Sequence, residues 1–268
     1  MIRVVIFRDY RELSRACAQV LIRLIRREPC TVLGLPTGST PLGLYRELVN
    51  AHVRGEVDFS STTAFNIDEY LDLRIGHPAS FAAYMMKHLW QHINLHPERR
   101  HIPSSMPVDP VEECVRYETA IRDAGGLDFT VLGMGVNGHI GFNEPGTPWD
   151  TPTHVTTLTK ATLARHPYWK ARATIRPVQA ITMGIGTIRS SRRVLLMVSG
   201  SEKAPKLERA LTGPPTVDCP ASSLQGHPHL LVMSDRHAAS RLVKSLEDDS
   251  QHRHRILLTS SIEGIFSE

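Results

Sequence analysis

Short apolar segments alternate with amphipathic segments along most of the chain. The apolar segments are typical of strands buried on both faces of a parallel sheet, and they cover residues 1–7, 31–35, 62–66, 127–132, 180–185, 193–198 and 230–234. Between them apolar residues recur at helical spacing, over residues 10–28 after a capping Asp9, then over 42–52, 78–90, 110–123, 204–211 and 236–246. This order predicts an α/β fold with an open, mostly parallel, doubly wound sheet of the Rossmann-like type.

Residues 146–177 interrupt the alternation. This irregular segment is rich in Pro, Thr, His and Arg, and it has no strong helical or strand pattern. Loops of that length inside a compact domain are usually functional, so we predict a lid. Arg165, Arg172 and Arg176 are candidates within it to reach an anionic ligand. No internal repeat or low-complexity segment divides the chain, and residues 1–268 are predicted to form a single domain.

Composition and charge narrow the classes of protein. Hydrophobic residues make up 41% and charged residues 22% of the 268 residues, and the formal net charge is +4 with a pI near 9.0. The basic residues are scattered, without the aromatic-interleaved stripe typical of nucleic-acid binding, so no nucleic-acid partner is predicted. A basic balance is equally compatible with an anionic small substrate.

The cysteines and the ends of the chain indicate a cytoplasmic protein. Cys17, Cys30, Cys114 and Cys219 are far apart and show no metal-ligand spacing, so we interpret them as reduced thiols. The segment His252–Arg255 is interpreted as an exposed basic stretch and not as a metal site. The first residues resemble a strand more than a secretion signal, and no apolar run approaches the roughly 20 residues of a membrane span. No metal and no membrane partner are expected.

The strand predicted at 127–132 runs into a loop that carries candidate chemistry. Three glycines occur between positions 133 and 138, and Asn137, His139 and Glu144 follow before Pro145. Glycine allows positive φ and close approach to a ligand, and ligands of open α/β sheets bind at the carboxyl ends of strands. An imidazole and a carboxylate five residues apart on such a loop suggest proton transfer.

A second loop, Pro36–Pro41, joins the strand at 31–35 to the helix at 42–52. Unpaired N–H groups at the start of a helix attract anions, and Thr37, Ser39 and Thr40 add hydroxyl donors. A phosphate site and an ordinary capped turn are both compatible with this pattern; a Walker loop is not, because no Gly-Lys-Ser/Thr follows. Lys203, at a glycine-containing strand–helix junction, is a candidate second phosphate contact.

The acids Asp68 and Glu69 follow the strand predicted at 62–66. Taken alone they fit either a helix cap or an acid/base site. In a doubly wound sheet, however, their loop, the Pro36–Pro41 turn and the His139 loop all lie at the same edge. No Gly-x-Gly-x-x-Gly pattern with a ribose-binding acid is present, so no nicotinamide cofactor is predicted.

Five segments together carry a family resemblance: Leu35–Pro41, Phe65–Tyr70, Gly135–Pro145, Thr182–Thr187 and Gly200–Lys203. With them the chain resembles the glucosamine-6-phosphate deaminase family nearly from end to end. The resemblance implies conversion of glucosamine 6-phosphate and water to fructose 6-phosphate and ammonia, with no cofactor.

The resemblance also implies a role for each matching residue. Asp68 stands where the family has the base that moves a proton between carbons 1 and 2 of the open-chain sugar. His139 stands at the position of the ring-opening acid/base, and Asn137 and Glu144 at positions that orient and tune it. The phosphate-holding positions are matched by Thr37, Gly38, Ser39, Thr40 and Lys203.

Some positions depart from the family pattern. Position 137 is Asn where some relatives carry Asp; Asn still holds the imidazole by a hydrogen bond but adds no charge. In the lid the family's phosphate-pairing Arg falls near Tyr168, with Arg165 a few residues away as the substitute. His154 and Thr156 stand near positions where regulated relatives have basic residues for an activator, so no such activation is predicted.

Other functions of the same scaffold are open to a sequence of this kind. A galactosamine-6-phosphate deaminase differs by one epimeric hydroxyl, whose contacts cannot be assigned. A 6-phosphogluconolactonase needs no carbon-to-carbon proton transfer, which the acid at position 68 disfavours. A non-catalytic sugar-phosphate sensor would not need Asp68, His139 and Glu144. A homo-oligomer is left open, because apolar helix faces look alike whether they meet a core or a neighbouring subunit.

Overall fold

The computed structural model describes residues 2–159, 162–163, 178–248 and 256–259. Its centre is an eight-stranded sheet in the order β11-β1-β10-β9-β6-β2-β3-β5, in which every neighbouring pair is parallel. The predicted fold class is therefore confirmed. The strands are β1 (Ile2–Phe7), β2 (Val32–Leu35), β3 (Thr63–Asn66), β5 (Arg100–His101), β6 (Phe129–Gly133), β9 (Arg193–Val198), β10 (Leu230–Asp235) and β11 (Ile256–Thr259).

Helices cover both faces of this sheet. They are α1 (Tyr10–Arg27), α2 (Leu42–Val53), α3 (Phe81–His88), α4 (Pro110–Asp123), α5 (Ile185–Arg189), α6 (Ala204–Thr212) and α7 (Arg236–Asp248). Short 3-10 turns occupy Trp90–His92, Pro97–Arg99, Ser201–Lys203 and Pro220–Gly226. Val4 and Val5 of β1 point into different apolar clusters, one shared with α4, α6 and α7 and the other with α1, α2 and α3. Burial on both faces explains why these strands are apolar throughout.

Helix starts agree with the capping signals in the sequence. The Asp9 side chain accepts a hydrogen bond from the Glu12 N–H at 2.9 Å, and Ser80 accepts one from Ala83 at 3.1 Å. The helix predicted at 78–90 is shorter than expected, because Ser80 is its extended N-cap and Leu89 its C-cap.

A second, smaller sheet is antiparallel and lies beside the end of β3. It contains β4 (Asp68–Tyr70), β8 (Gln179–Thr182) and β7 (His154–Thr157) in the order β4-β8-β7. Ile67 alone separates β3 from β4. Its N–H donates to the Leu35 carbonyl at 3.1 Å, and its carbonyl accepts from Met183 at 2.7 Å. The chain thus passes from one sheet to the other at the point where the acids emerge.

Two sequence predictions need correction in this region. Residues 154–157 form the regular strand β7 inside the segment predicted to be irregular, because they pair with β8. The strand predicted at 180–185 ends at Thr182, and Ile185 already starts α5. Gly184 is the N-cap of α5 at this point, and a Cβ there would lie 1.9 Å from the Thr151 carbonyl oxygen.

The described ranges bear on the predictions about membranes, metals and the lid. None of the helices in these ranges is both long and apolar enough to cross a membrane. The same ranges contain no group of three or more side chains suited to hold a metal ion. Arg165, Tyr168, Arg172, Arg176 and His252–Arg255 lie outside the described residues, so the predictions that involve them stay predictions.

Candidate active site

The predicted site residues follow four neighbouring strands. In the sheet β9, β6, β2 and β3 are adjacent and parallel, so the loops that follow them share one edge. The β2 loop carries Thr37–Thr40, the β3 end carries Asp68, the β6 loop carries Asn137–Glu144 and the β9 loop carries Lys203.

Glycines give the β6 loop its shape. The Gly135 N–H donates to the His139 carbonyl at 2.9 Å, and Gly138, with φ of 92°, donates to the Gly135 carbonyl at 3.1 Å. A Cβ on Gly135 would lie 2.4 Å from two atoms of the His139 ring. The imidazole therefore packs directly against the Gly135 backbone, and only glycine leaves it that space.

The side chains of this loop form a connected polar group around Glu144. The Asn137 amide donates to Glu144 Oε2 at 2.6 Å, while its carbonyl oxygen accepts from the His139 backbone N–H at 3.2 Å. His139 Nδ1 lies 3.7 Å from Glu144 Oε2, a distance for ionic attraction. The hydroxyl of Thr162 donates to Glu144 Oε1 at 2.6 Å. Asn137 thus orients both the histidine backbone and the carboxylate.

The environment of Glu144 keeps its carboxyl ionised. Burial favours a raised pKa, but the neighbouring His139, the Thr162 hydroxyl and the Asn137 amide together outweigh it and lower the pKa of Glu144 to about 2. The side chains of His139 and Glu144 are only 20% and 18% exposed. A charge in a partly buried site acts more strongly on its neighbour than a charge in water. Glu144 therefore places a negative charge beside the His139 ring.

Asp68 and Glu69 are both buried but have different surroundings. Glu69 accepts hydrogen bonds from the backbone N–H groups of Tyr70, Phe81 and Ala82 at 2.8–2.9 Å, so it caps α3. Asp68 is 6% exposed, and its Oδ1 has no hydrogen-bond partner among the described residues. The capping and acid/base interpretations of this pair therefore each fit one of the two acids.

Burial dominates the protonation of both acids. It raises the pKa of Asp68, the charge on Glu69 adds to the effect, and the pKa reaches about 8. Burial also raises the pKa of Glu69 to about 7, although its three backbone hydrogen bonds oppose the change. A carboxyl with a pKa near neutrality can both take and release a proton, which suits Asp68 to acid/base work.

Thr182 ties the Asp68 strand to the His139 loop. It stands opposite Asp68 in the β4–β8 pairing, and its hydroxyl accepts a hydrogen bond from the Phe142 N–H at 3.0 Å. A Cβ on Gly141 would lie 2.8 Å from the Thr182 hydroxyl and 2.9 Å from the Ile67 side chain. The loop that carries His139 thus packs onto the segment that carries Asp68.

Three tyrosines hold the carbonyl groups of the β2 loop. The Tyr84 hydroxyl donates to the Gly38 carbonyl at 2.6 Å, and the Tyr10 hydroxyl lies 3.0 Å from the Thr40 carbonyl oxygen. The Tyr45 hydroxyl donates to the Pro36 carbonyl. The Tyr10 hydroxyl also accepts from the Gly43 N–H at the start of α2, at 2.8 Å. With its carbonyls engaged and Gly38 at φ of 98°, the loop can turn its own N–H groups toward an anion.

Lys203 brings a positive charge to the same place. Its Nζ lies 3.1 Å from Thr40 Oγ1, although the two residues are 163 positions apart. The turn before it is held by Asp235, which accepts from the Ser199 hydroxyl and from the Gly200 N–H. The hydroxyls of the β2 loop, the start of α2 and the ammonium group form an anion cradle.

The structure brings together most of the predicted site residues. Asn137, His139 and Glu144 form one group, Asp68 lies in the segment packed against it, and the Thr37–Thr40 turn meets Lys203. Sequence reasoning missed Thr162 and the three tyrosines. Tyr10 and Tyr84 are 29 or more positions from the loop carbonyls that they contact, so no local pattern indicates them.

An α/β sheet whose carboxyl edge joins an anion cradle to a buried acid and an imidazole–carboxylate pair defines a protein built for proton transfer on a small anion. A family model then identifies the family to which the chain belongs. Residues 9–232 match the family described as glucosamine-6-phosphate isomerases/6-phosphogluconolactonase, and the chain belongs to this family.

Relatives are similar over most of their length. The glucosamine-6-phosphate deaminase of Thermoanaerobacter pseudethanolicus is 42% identical over 238 residues, which cover 89% of this chain and 94% of the relative. Glucosamine-6-phosphate deaminase 2 of Bacillus subtilis is 43% identical over 242 residues, or 90% and 97% of the two chains.

Solved structures agree with the fold. A monomeric glucosamine-6-phosphate deaminase superposes with a TM-score of 0.84 at 41% identity, covering 89% of this chain and 99% of that one. A 6-phosphogluconolactonase from Trypanosoma cruzi has a TM-score of 0.73 at 18% identity, with 90% and 97% covered. At that identity the second likeness concerns the fold alone.

Proposed function

We propose that this protein is a glucosamine-6-phosphate deaminase, which converts glucosamine 6-phosphate and water to fructose 6-phosphate and ammonia. The observation that carries the proposal is the buried Asp68, with an unpartnered oxygen and a pKa of about 8, in the segment packed against the His139 loop and at the same sheet edge as the anion cradle. Relatives of that name, 41–43% identical over most of the chain, support it.

His139 opens the sugar ring in this proposal. It gives a proton to the ring oxygen while the anomeric hydroxyl loses one, so that the bond between carbon 1 and the ring oxygen breaks and carbon 1 becomes an aldehyde. The Glu144 carboxylate lies beside the imidazole that donates this proton, and Asn137 holds both groups in position.

Asp68 then moves the proton that distinguishes aldose from ketose. It removes the proton from carbon 2 and delivers it to carbon 1, while the oxygen on carbon 1 is protonated and carbon 2 forms an imine with the amino nitrogen. Water adds to that carbon and ammonia leaves, which gives the ketone. A carboxyl with a pKa near 8 is suited to take and return the same proton.

The anion cradle fixes the far end of the substrate. Thr37, Gly38, Ser39 and Thr40 contribute hydroxyls and N–H groups, and Lys203 contributes charge. Binding energy from a phosphate that does not react can align carbons 1 and 2 with Asp68. The proposal includes Arg165, within the lid predicted over residues 146–177, as a further contact to the phosphate.

Four free cysteines support a reducing compartment, and we place the reaction in the cytoplasm. The substrate is then a small phosphorylated amino sugar of the same compartment.

Ammonia release from glucosamine 6-phosphate tests the function. The galactosamine epimer and 6-phosphogluconolactone are assayed in parallel, and Asp68→Asn is the variant. We expect ammonia from the glucosamine ester and a fall of two to four orders of magnitude in kcat for Asp68→Asn, because this range is typical of a lost acid/base group. Turnover of the lactone alone would reject the function. Full activity in Asp68→Asn would keep the function and reject the role of Asp68.

A further inference from the structure

The two oxygens of the Glu144 carboxylate have different partners. Oε2 faces the imidazole of His139, at 3.7 Å from Nδ1, and accepts from the Asn137 amide. Oε1 accepts from the hydroxyl of Thr162 at 2.6 Å. The oxygens of a carboxylate lie in one rigid plane, so a bond that fixes Oε1 also fixes the direction of Oε2.

The direction of the hydrogen bonds around Thr162 follows from the charge on Glu144. With a pKa of about 2 the carboxylate is ionised and can only accept, so the single hydroxyl proton of Thr162 points at Oε1. The Thr159 and Thr162 hydroxyl oxygens are 2.9 Å apart, so Thr159 must be the donor between them. The result is a chain of donors from Thr159 through Thr162 to the carboxylate, and such chains strengthen each bond.

The backbone around Thr162 is held without this hydroxyl. The Thr162 N–H donates to Thr159 Oγ1 and the Leu163 N–H to the Thr159 carbonyl, both at 3.1 Å. Leu158 and Leu163 are each 8% exposed and pack with the aromatic cluster around Tyr70. The turn is therefore anchored by apolar burial and by Thr159, which leaves the Thr162 hydroxyl available to act on Glu144.

We propose that Thr162 is a positioning residue, which holds the Glu144 carboxylate toward His139 and so supports the ring-opening proton transfer. This inference rests on the proposed function. Within the described residues, the titratable group beside Glu144 is His139. The other polar neighbours of Glu144 are Asn137 and Thr162. Thr162 acts through Glu144 and does not need to touch the substrate.

The test compares isosteric and conservative variants. Thr162→Val keeps the shape and loses the hydroxyl, Thr162→Ser keeps the hydroxyl, and Thr157→Val removes an exposed threonine hydroxyl from the neighbouring strand as a control. We expect Thr162→Val to lower kcat about tenfold with KM changed less than about twofold, the size of one lost charge-assisted hydrogen bond. Thr162→Ser and Thr157→Val should stay within about twofold of the parent protein.

A second background separates positioning from general structure. In Glu144→Gln the charge that Thr162 orients is gone, so adding Thr162→Val should lower kcat by less than about twofold. An equal fall in both backgrounds would overturn the proposal, as would a Thr162→Val protein with parental kcat. If Thr162→Val does not fold, Thr162→Ala is measured in its place and the same outcomes apply.

An assay without turnover distinguishes this inference from the proposed function. The ring signals of His139 are followed by NMR in the parent protein and in the valine and serine variants. We expect a changed His139 signal with valine and a parental one with serine, whatever the substrate. Identical signals in all three proteins would overturn the positioning role, whereas a parent protein that releases no ammonia would reject only the function.

Discussion

Adjacent acids with nearly equal burial have different hydrogen-bond surroundings. Glu69 accepts three backbone N–H groups at the start of α3, whereas Asp68 Oδ1 has no partner within the described chain. A buried carboxyl without donors favours its neutral form. Such a group lowers the free energy of unfolding at any pH that forces it to ionise. Many active sites are less stable for a reason of this kind.

The raised pKa of Asp68 predicts how Asp68→Asn changes stability with pH. The pKa rises from 3.8 to about 8 on folding, so this group contributes its full stability below pH 3.8 and loses it as the pH rises through about 8. Asparagine has no such loss. Relative to the parent protein, the variant should gain roughly 2–4 kcal/mol in free energy of unfolding between pH 5 and pH 9, a value reduced for coupling to Glu69.

Urea unfolding at the two pH values measures this gain. Asp123→Asn, whose carboxylate is 70% exposed, controls for loss of an acidic side chain elsewhere. A difference between Asp68→Asn and the parent protein that is the same at both pH values would contradict a raised pKa at Asp68.

Gly135→Ala tests the packing of the imidazole. The new Cβ would lie 2.4 Å from the His139 ring, so the ring must shift from its place. We expect kcat to fall by about two orders of magnitude, because a misplaced acid/base group loses most of its effect. Gly133→Ala is the matched control: nothing lies within 4 Å of its Cβ, and activity should stay near that of the parent protein. Equal effects of the two alanines on kcat would show that the contact is not responsible.

At the scale of elements, the anion cradle is made by helices that are distant in sequence. Tyr10 begins α1, Tyr45 lies in α2 and Tyr84 in α3, and all three hydroxyls hold carbonyls of one loop. The loop is thus shaped by the packing of three helices on one face of the sheet. Lys203 completes the cradle from the end of β9, with its Nζ 3.1 Å from the Thr40 hydroxyl.

Lys203→Met should therefore weaken phosphate binding without disturbing the loop. We expect KM for glucosamine 6-phosphate to rise about tenfold or more with a smaller change in kcat, since the phosphate contact contributes equally to substrate and transition-state binding. Lys206→Met, at the start of α6, is the control for a lysine lost nearby. Inorganic phosphate should inhibit the parent and Lys206→Met proteins and inhibit Lys203→Met more weakly. Unchanged inhibition by phosphate would remove Lys203 from the cradle.

Periodicity predicts the elements whose burial is regular and misses those created by pairing. The central strands are apolar because both faces are covered, and the Pro110–Asp123 helix begins and ends where its helical spacing predicts. Strand β7 has the sequence His154–Thr157, with half-exposed side chains and no alternation, so only its pairing with β8 makes it a strand. Likewise β5 has two residues. The positions of the site loops can be predicted because the loops follow these strands. The role of Thr162 cannot, because it depends on a contact that forms only in the folded chain.

At the scale of the molecule, the two sheets are joined where the chemistry takes place. One residue, Ile67, connects β3 to β4, and it accepts a hydrogen bond from Met183 at the end of β8. Glu69 of β4 caps α3, which packs on the main sheet, and the Thr182 hydroxyl of β8 accepts a hydrogen bond from the Phe142 N–H of the His139 loop. Separation of the small sheet would expose Asp68 and break each of these contacts.

The protein should consequently unfold in one transition. Because the small sheet shares its strand connection, a helix cap and the His139 loop with the main sheet, neither part has a complete core and hydrogen-bond set alone. Differential scanning calorimetry should give one peak with equal calorimetric and van't Hoff enthalpies. Glu69→Gln, which weakens the α3 cap, should lower the midpoint of that peak without splitting it. Two separate peaks in the parent protein would mean that residues 1–268 fold as more than one unit, and that the link through Ile67 is not enough to couple them.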